Sequence, residues 1–114
     1  MAIQLFLDLN NLEYYGDVPE IPANPEGRIE EFRFVENDED YFEQDIDEID
    51  FVCNALLDLY DVEFFNAEQC ALLSNWIEER IKKPIEPRYK EILEVLNNYC
   101  KRAVTLNTGV VIEL

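Results

Sequence analysis

The chain predicts an α+β fold in which three helices pack on a small sheet that includes the N- and C-terminal strands. Three features of its 114 residues lead there. The opening AIQLFLDL alternates with a period of two. The closing VVIEL is rich in β-branched residues and follows turn chemistry. Between them, apolar residues recur at spacings of three and four, the helical period. Strands at both ends with helices between them imply layers around one core. Residues 1–114 are therefore expected to form a single acidic globular domain.

In the first strand Ile3, Leu5, Leu7 and Leu9 point one way and Gln4, Phe6 and Asp8 the other, so one face is strongly buried. GDVPEIPANPEG, with its prolines and glycines, reads as a loop. RIEEFRFVE offers a second, shorter strand with Phe32 and Phe34 on one face. From Tyr41 the period changes. Phe42, Ile46, Ile49, Cys53, Leu56 and Tyr60 form one helical stripe, which predicts a helix running to about residue 61. NAEQ at 66–69 has the form of a capping box, in which Asn66 accepts from the first free amides and Gln69 reaches back. The helix it opens should bury Cys70, Leu73, Ile77 and Ile81, with Leu72 and Trp76 widening the apolar arc. Lys82 and Lys83 suit its negative end, and Pro84 stops it. A third helix starts near Pro87 and presents Tyr89, Ile92, Leu93, Leu96, Cys100 and Ala103 to the core, with Lys101 and Arg102 near its end. NTG at 107–109 turns the chain into the last strand.

The net charge is −17, yet nearly half the residues are hydrophobic, too many for a disordered acidic chain. The charge is uneven. Residues 1–68 hold twenty Asp and Glu against Arg28 and Arg33, whereas residues 69–114 are almost balanced. Such a field repels nucleic acid and anionic membrane and attracts a basic partner; it also serves solubility. Cys53, Cys70 and Cys100 are odd in number, widely spaced and without a C-x-x-C. No His is present to complete a zinc set, so buried free thiols in a reducing compartment are expected. The start lacks a basic n-region and meets Asp8 early, and no apolar run reaches spanning length. The expected location is cytoplasmic.

ENDEDYFEQDIDEIDF, residues 36–51, concentrates nine carboxylates without one base. On a helix over 42–61, Glu43, Asp47, Asp50, Asp58 and Asp61 form a stripe roughly 110° from the apolar one, with Asp45 and Glu48 flanking the core from the other side. The tract thus reads as a helix with an acidic outer face. Phe51 fits badly, projecting about 180° from the core stripe. Packing beneath a loop would explain it; an aromatic anchor ringed by charge is the sharper alternative. A calcium loop does not fit, because a frame from Asn37 puts Tyr41 and Phe42 where an oxygen ligand and a glycine belong.

Catalytic routes close for want of parts. Without His there is no Ser-His or Cys-His pair, Ser74 is the lone serine, and the three glycines are too scattered to cradle a phosphate. Nothing nominates a carboxylate pair for acid–base work. No catalytic residue, cofactor or metal is expected, and direct nucleic-acid binding is disfavoured because the few bases gather around helix ends. Binding remains. The leading expectation is a small acidic protein of the inhibitor or immunity type that covers a basic surface of a protein partner. Glu43, Asp47, Asp50, Asp58 and Asp61 would be charge contacts, and an aromatic such as Phe51 or Tyr41 would supply desolvated area. Two alternatives are a nucleic-acid mimic that blocks a DNA- or RNA-handling enzyme, and a structural or regulatory domain that uses apolar contacts, homodimerisation included, while its acidity serves solubility.

Overall fold

The computed structural model describes every residue from Met1 to Leu114. Four strands, β1 (Ala2–Phe6), β4 (Ile29–Arg33), β5 (Val62–Asn66) and β6 (Gly109–Glu113), form an antiparallel sheet in the spatial order β4-β1-β6-β5. The terminal strands are central neighbours, with Ile3 opposite Ile112 and Leu5 opposite Val110. These four side chains and Phe65 of β5 face the helices and are fully buried. Gln4 and Phe6, on the other face of β1, are buried as well. That second face is covered by residues 7–28, which hold a small hairpin, β2 (Tyr14–Tyr15) and β3 (Val18–Pro19), set beside β5. Asp8 and Arg28 form an ion pair that closes the base of this segment.

The sheet also explains the glycine that opens β6. A Cβ on Gly109 would come within 2.4 Å of the Phe64 ring and 2.5 Å of the Phe65 carbonyl oxygen. The ring can turn, but the carbonyl cannot yield without shifting the strand. Gly109→Ala is therefore expected to destabilise by ~1–3 kcal/mol through overpacking. An unchanged Tm would show that the β5–β6 pair gives way freely.

On the helical side lie α1 (Ile46–Cys53), α2 (Ala67–Arg80) and α3 (Pro87–Leu106), preceded by a 3-10 helix over Asp38–Gln44. The capping box at 66–69 is complete: Gln69 N donates to Asn66 Oδ1 at 2.9 Å and Asn66 N to Gln69 Oε1 at 3.0 Å. The Gln69 amide also donates to the Cys53 and Asn54 carbonyls, so the start of α2 fastens the end of α1. In α3, Pro87 occupies the first turn and all six expected core residues are buried. Asn107 ends it in the left-handed region that Asn tolerates better than other non-glycine residues. The three cysteines are free and buried. Burial pushes the Cys53 thiol up to about 12, which leaves it protonated and unreactive at neutral pH. No helix is long and apolar enough to cross a membrane.

One expected element is corrected. In place of a helix over 42–61 the chain forms the end of the 3-10 helix, α1 and an irregular stretch that leads into β5. The apolar stripe holds as far as Cys53, then fails: Leu56 and Tyr60 are 82% and 83% exposed. Asn54 adopts φ +53 and closes α1, its N–H donating to the Asp50 carbonyl. The Asp50 carboxylate then accepts from Leu57 N at 2.8 Å and draws the chain out of register with a helix. Beyond this loop, VEFFN of β5 pairs with β6, so the chain is extended where a helix was expected to end. Leu72 is also exposed and does not widen the apolar arc of α2, whereas Trp76 does.

Candidate functional site

The carboxylates of residues 36–61 include two sets with different work. One set is internal. Asp38 is buried and accepts from Val35 N and from the Arg88 guanidinium, including Nη2 at 2.6 Å. Asp45 is buried and accepts from Arg80 Nε at 3.0 Å and from the Tyr89 hydroxyl at 2.7 Å. Glu48 is itself exposed, yet its carboxylate accepts from Trp76 Nε1 at 2.6 Å and so also ties α1 to α2. Around these bonds lies an aromatic cluster: Tyr41 stacks on Tyr89, Phe42 meets Tyr89 edge-on and Phe34 stacks on Phe42. Arg80 and Arg88 lie over the Tyr89 and Phe32 rings. These acids join the 3-10 helix and α1 to α2 and α3. Bases near the helix ends also pair with distant acids: Arg80 with Asp45, Arg88 with Asp38, Arg102 with Glu30.

The other set faces water. Glu43, Asp47, Asp58 and Asp61 are exposed, and none is ion-paired. No Lys or Arg occurs between Arg33 and Arg80, so every charge that this stretch brings to the surface is negative. Phe51 does not pack beneath a loop. It is 89% exposed, the most open of the large apolar side chains, and Leu56 is nearly as open. The Leu56 amide donates to Glu63 Oε2 of β5 at 2.6 Å, which pins the loop carrying Leu56 against the sheet edge.

Asp50 differs from its expected companions. It is only partly exposed, and its carboxylate holds Leu57 N. Desolvation raises its pKa first, and the charges of Glu63, Asp47 and Asp58 raise it further, against the lowering effect of the Leu57 bond. These four carboxylates thus crowd together, whereas Glu43 and Asp61 are not among the charges acting on Asp50. Because the folded pKa lies above the unfolded one, Asp50 contributes stability only when protonated and loses it as pH rises through the folded value. Asp50→Asn, which keeps an acceptor for Leu57 N, is expected to raise stability at pH 7 by roughly 0.5–1 kcal/mol. The gain should shrink as pH falls through the carboxylate range in thermal melts. Asp38 has the opposite sign: Arg88 holds its carboxyl below the usual value, and its stabilisation is lost as pH falls through that lowered value.

No family model matches this chain, and comparison with curated proteins and with solved structures returned no significant match. Sequence reasoning put all five acids on an outer face, and four of them are exposed while Asp50 is not; it left Phe51 between packing beneath a loop and an exposed anchor, and Phe51 is exposed. It missed Leu56 and Glu63 because it kept both residues off this face, one in a helix core and one beyond the tract. The αL-tolerant Asn54 followed by ALLDLYD was the signal that the helix ends before them.

Proposed function

We propose that this chain is a small acidic binding protein of the inhibitor or immunity type, which covers a basic surface of a protein partner in the cytoplasm. The single observation that carries this reading is Phe51, fully presented on α1 within a stretch whose surface charges are all negative. An exposed aromatic flanked by unpaired carboxylates is the composition of an interface hot spot with a charged rim. Asp47 and Asp58 would steer the partner and fix its register, and Phe51 and Leu56 would supply desolvated area. Asp50 is assigned to the loop and not to the partner.

The apolar pair favours this reading over mimicry of a nucleic acid. Carboxylates can stand in for phosphates, but a phosphate backbone has nothing that corresponds to Phe51 and Leu56. Catalysis has no part in the proposal. The test is affinity capture from the source lysate with elution by a salt gradient, run in parallel with wild type and Phe51→Ala. A basic protein held by the wild type, released by salt and lost by the variant supports the reading. Partners that bind both proteins alike and ignore salt assign the acidity to solubility.

A further inference from the structure

A second aromatic and acidic feature lies at the β5 end of the sheet, separate from Phe51. The β2–β3 hairpin turns at Gly16, whose φ of +62 lets the two-residue loop close tightly. The hairpin sits beside β5, and between them lies a cleft of about 440 Å3 lined by Tyr15, Gly16, Val18, Glu20, Asp61 and Val62. Tyr15, Val18 and Val62 are its apolar lining residues, and Glu20 and Asp61 are the only charged ones. Neither carboxylate is ion-paired; Asp61 uses Oδ1 for Val62 N at 2.8 Å and keeps its other oxygen free. Tyr15 is 82% exposed. Tyr60, just before Asp61, is equally open and is held at φ +64, a conformation unusual for an aromatic residue. It lines an adjoining cleft that shares Asp61 and Val62.

We propose that this cleft receives a lysine or arginine side chain of a basic protein partner. Such a side chain has an aliphatic stem and a cationic head, and the cleft offers both halves of the match. The stem lies along Val18 and Val62, the head meets the Asp61 and Glu20 carboxylates, and the Tyr15 face adds a cation–π contact. No cation of the protein itself occupies the cleft, so a partner's charge meets unsatisfied acids. Tyr60 extends the aromatic surface from a left-handed backbone conformation that Gly or Asn adopts more readily. The inference rests on the reading of the acidic face as a surface for a basic protein, and it adds a second anchor point at the other end of the 51–62 stretch.

The test is NMR titration of the full chain with N-acetyl-arginine amide and N-acetyl-lysine amide, with the neutral isostere N-acetyl-citrulline amide as control. Expected are saturable shifts at Tyr15, Gly16, Asp61 and Val62 with the cationic probes and none with citrulline. Affinity should fall at least fivefold in Tyr15→Ala and in Asp61→Asn, both exposed changes that leave the fold intact. Equal response to citrulline, insensitivity to both variants, or no saturable shift at these residues overturns the cleft. Cation-dependent shifts confined to residues 43–58 overturn it while leaving the acidic-face reading standing, so the two fail separately.

Discussion

Asp45→Ala is expected to destabilise the protein by about 3–5 kcal/mol, the cost of removing one partner from a buried ion pair. The Asp45 carboxylate answers two donors at once, Arg80 Nε and the hydroxyl of Tyr89. Without it the Arg80 head keeps only longer bonds, to Gln44 and to the Pro84 carbonyl at 3.2 Å. The Tyr89 hydroxyl, on a residue with no exposure, has no other partner. At about 4 °C per kcal/mol for a domain of this size, the loss corresponds to a Tm lower by ~12 °C or more. Adding Tyr89→Phe removes the orphaned hydroxyl and should recover part of the loss, because an unmet buried donor costs ~1–3 kcal/mol by itself. A fall of less than ~1 kcal/mol in Asp45→Ala, measured by urea unfolding, would show that water replaces the carboxylate and that the network is not what ties α1 to α2 and α3.

Phe51→Ala is expected to weaken partner binding by ~30-fold or more, the loss of about 2 kcal/mol that marks a hot spot. Its stability should stay within ~0.5 kcal/mol of wild type, since a surface side chain with 89% exposure contributes little to the core. The combination matters more than either half. A residue that affects binding and not folding belongs to the partner; a residue that affects both belongs to the core. Leu56→Ala should follow the same pattern with a smaller effect. Phe51→Ala with unchanged affinity would remove the anchor from the account and leave charge alone.

Much of the fold could be read from the sequence, and the parts that could not have a common cause. Periodicity identifies which face of an element is buried, and so α3, α2 and the pair of terminal strands were legible from their own residues. It carries no information about what lies on the far side. The second face of β1 is buried because residues 7–28 return across it, and the loop's prolines and glycines did not disclose that. Asp38 and Asp45 looked like two acids among nine, but Arg88 and Arg80, 50 and 35 residues further on, convert them into internal ties. The extended helix over 42–61 failed for a local reason: three- and four-residue spacing continued by coincidence through Leu56 and Tyr60, while Asn54 and the Asp50 side chain ended α1. That failure enlarged the candidate surface, because it released Leu56 and Tyr60 from the core and left them in water on the acidic stretch that holds Phe51 and Asp61.

The most direct test of the central claim is the affinity for the captured partner as a function of salt, for wild type and for Asp47→Asn/Asp58→Asn/Asp61→Asn. If the acidic face makes the contact, wild-type affinity declines steeply with ionic strength, and the triple variant binds at least tenfold more weakly at low salt with a flatter dependence. Identical affinities and identical salt slopes for the two proteins would contradict that claim and leave the charge to solubility.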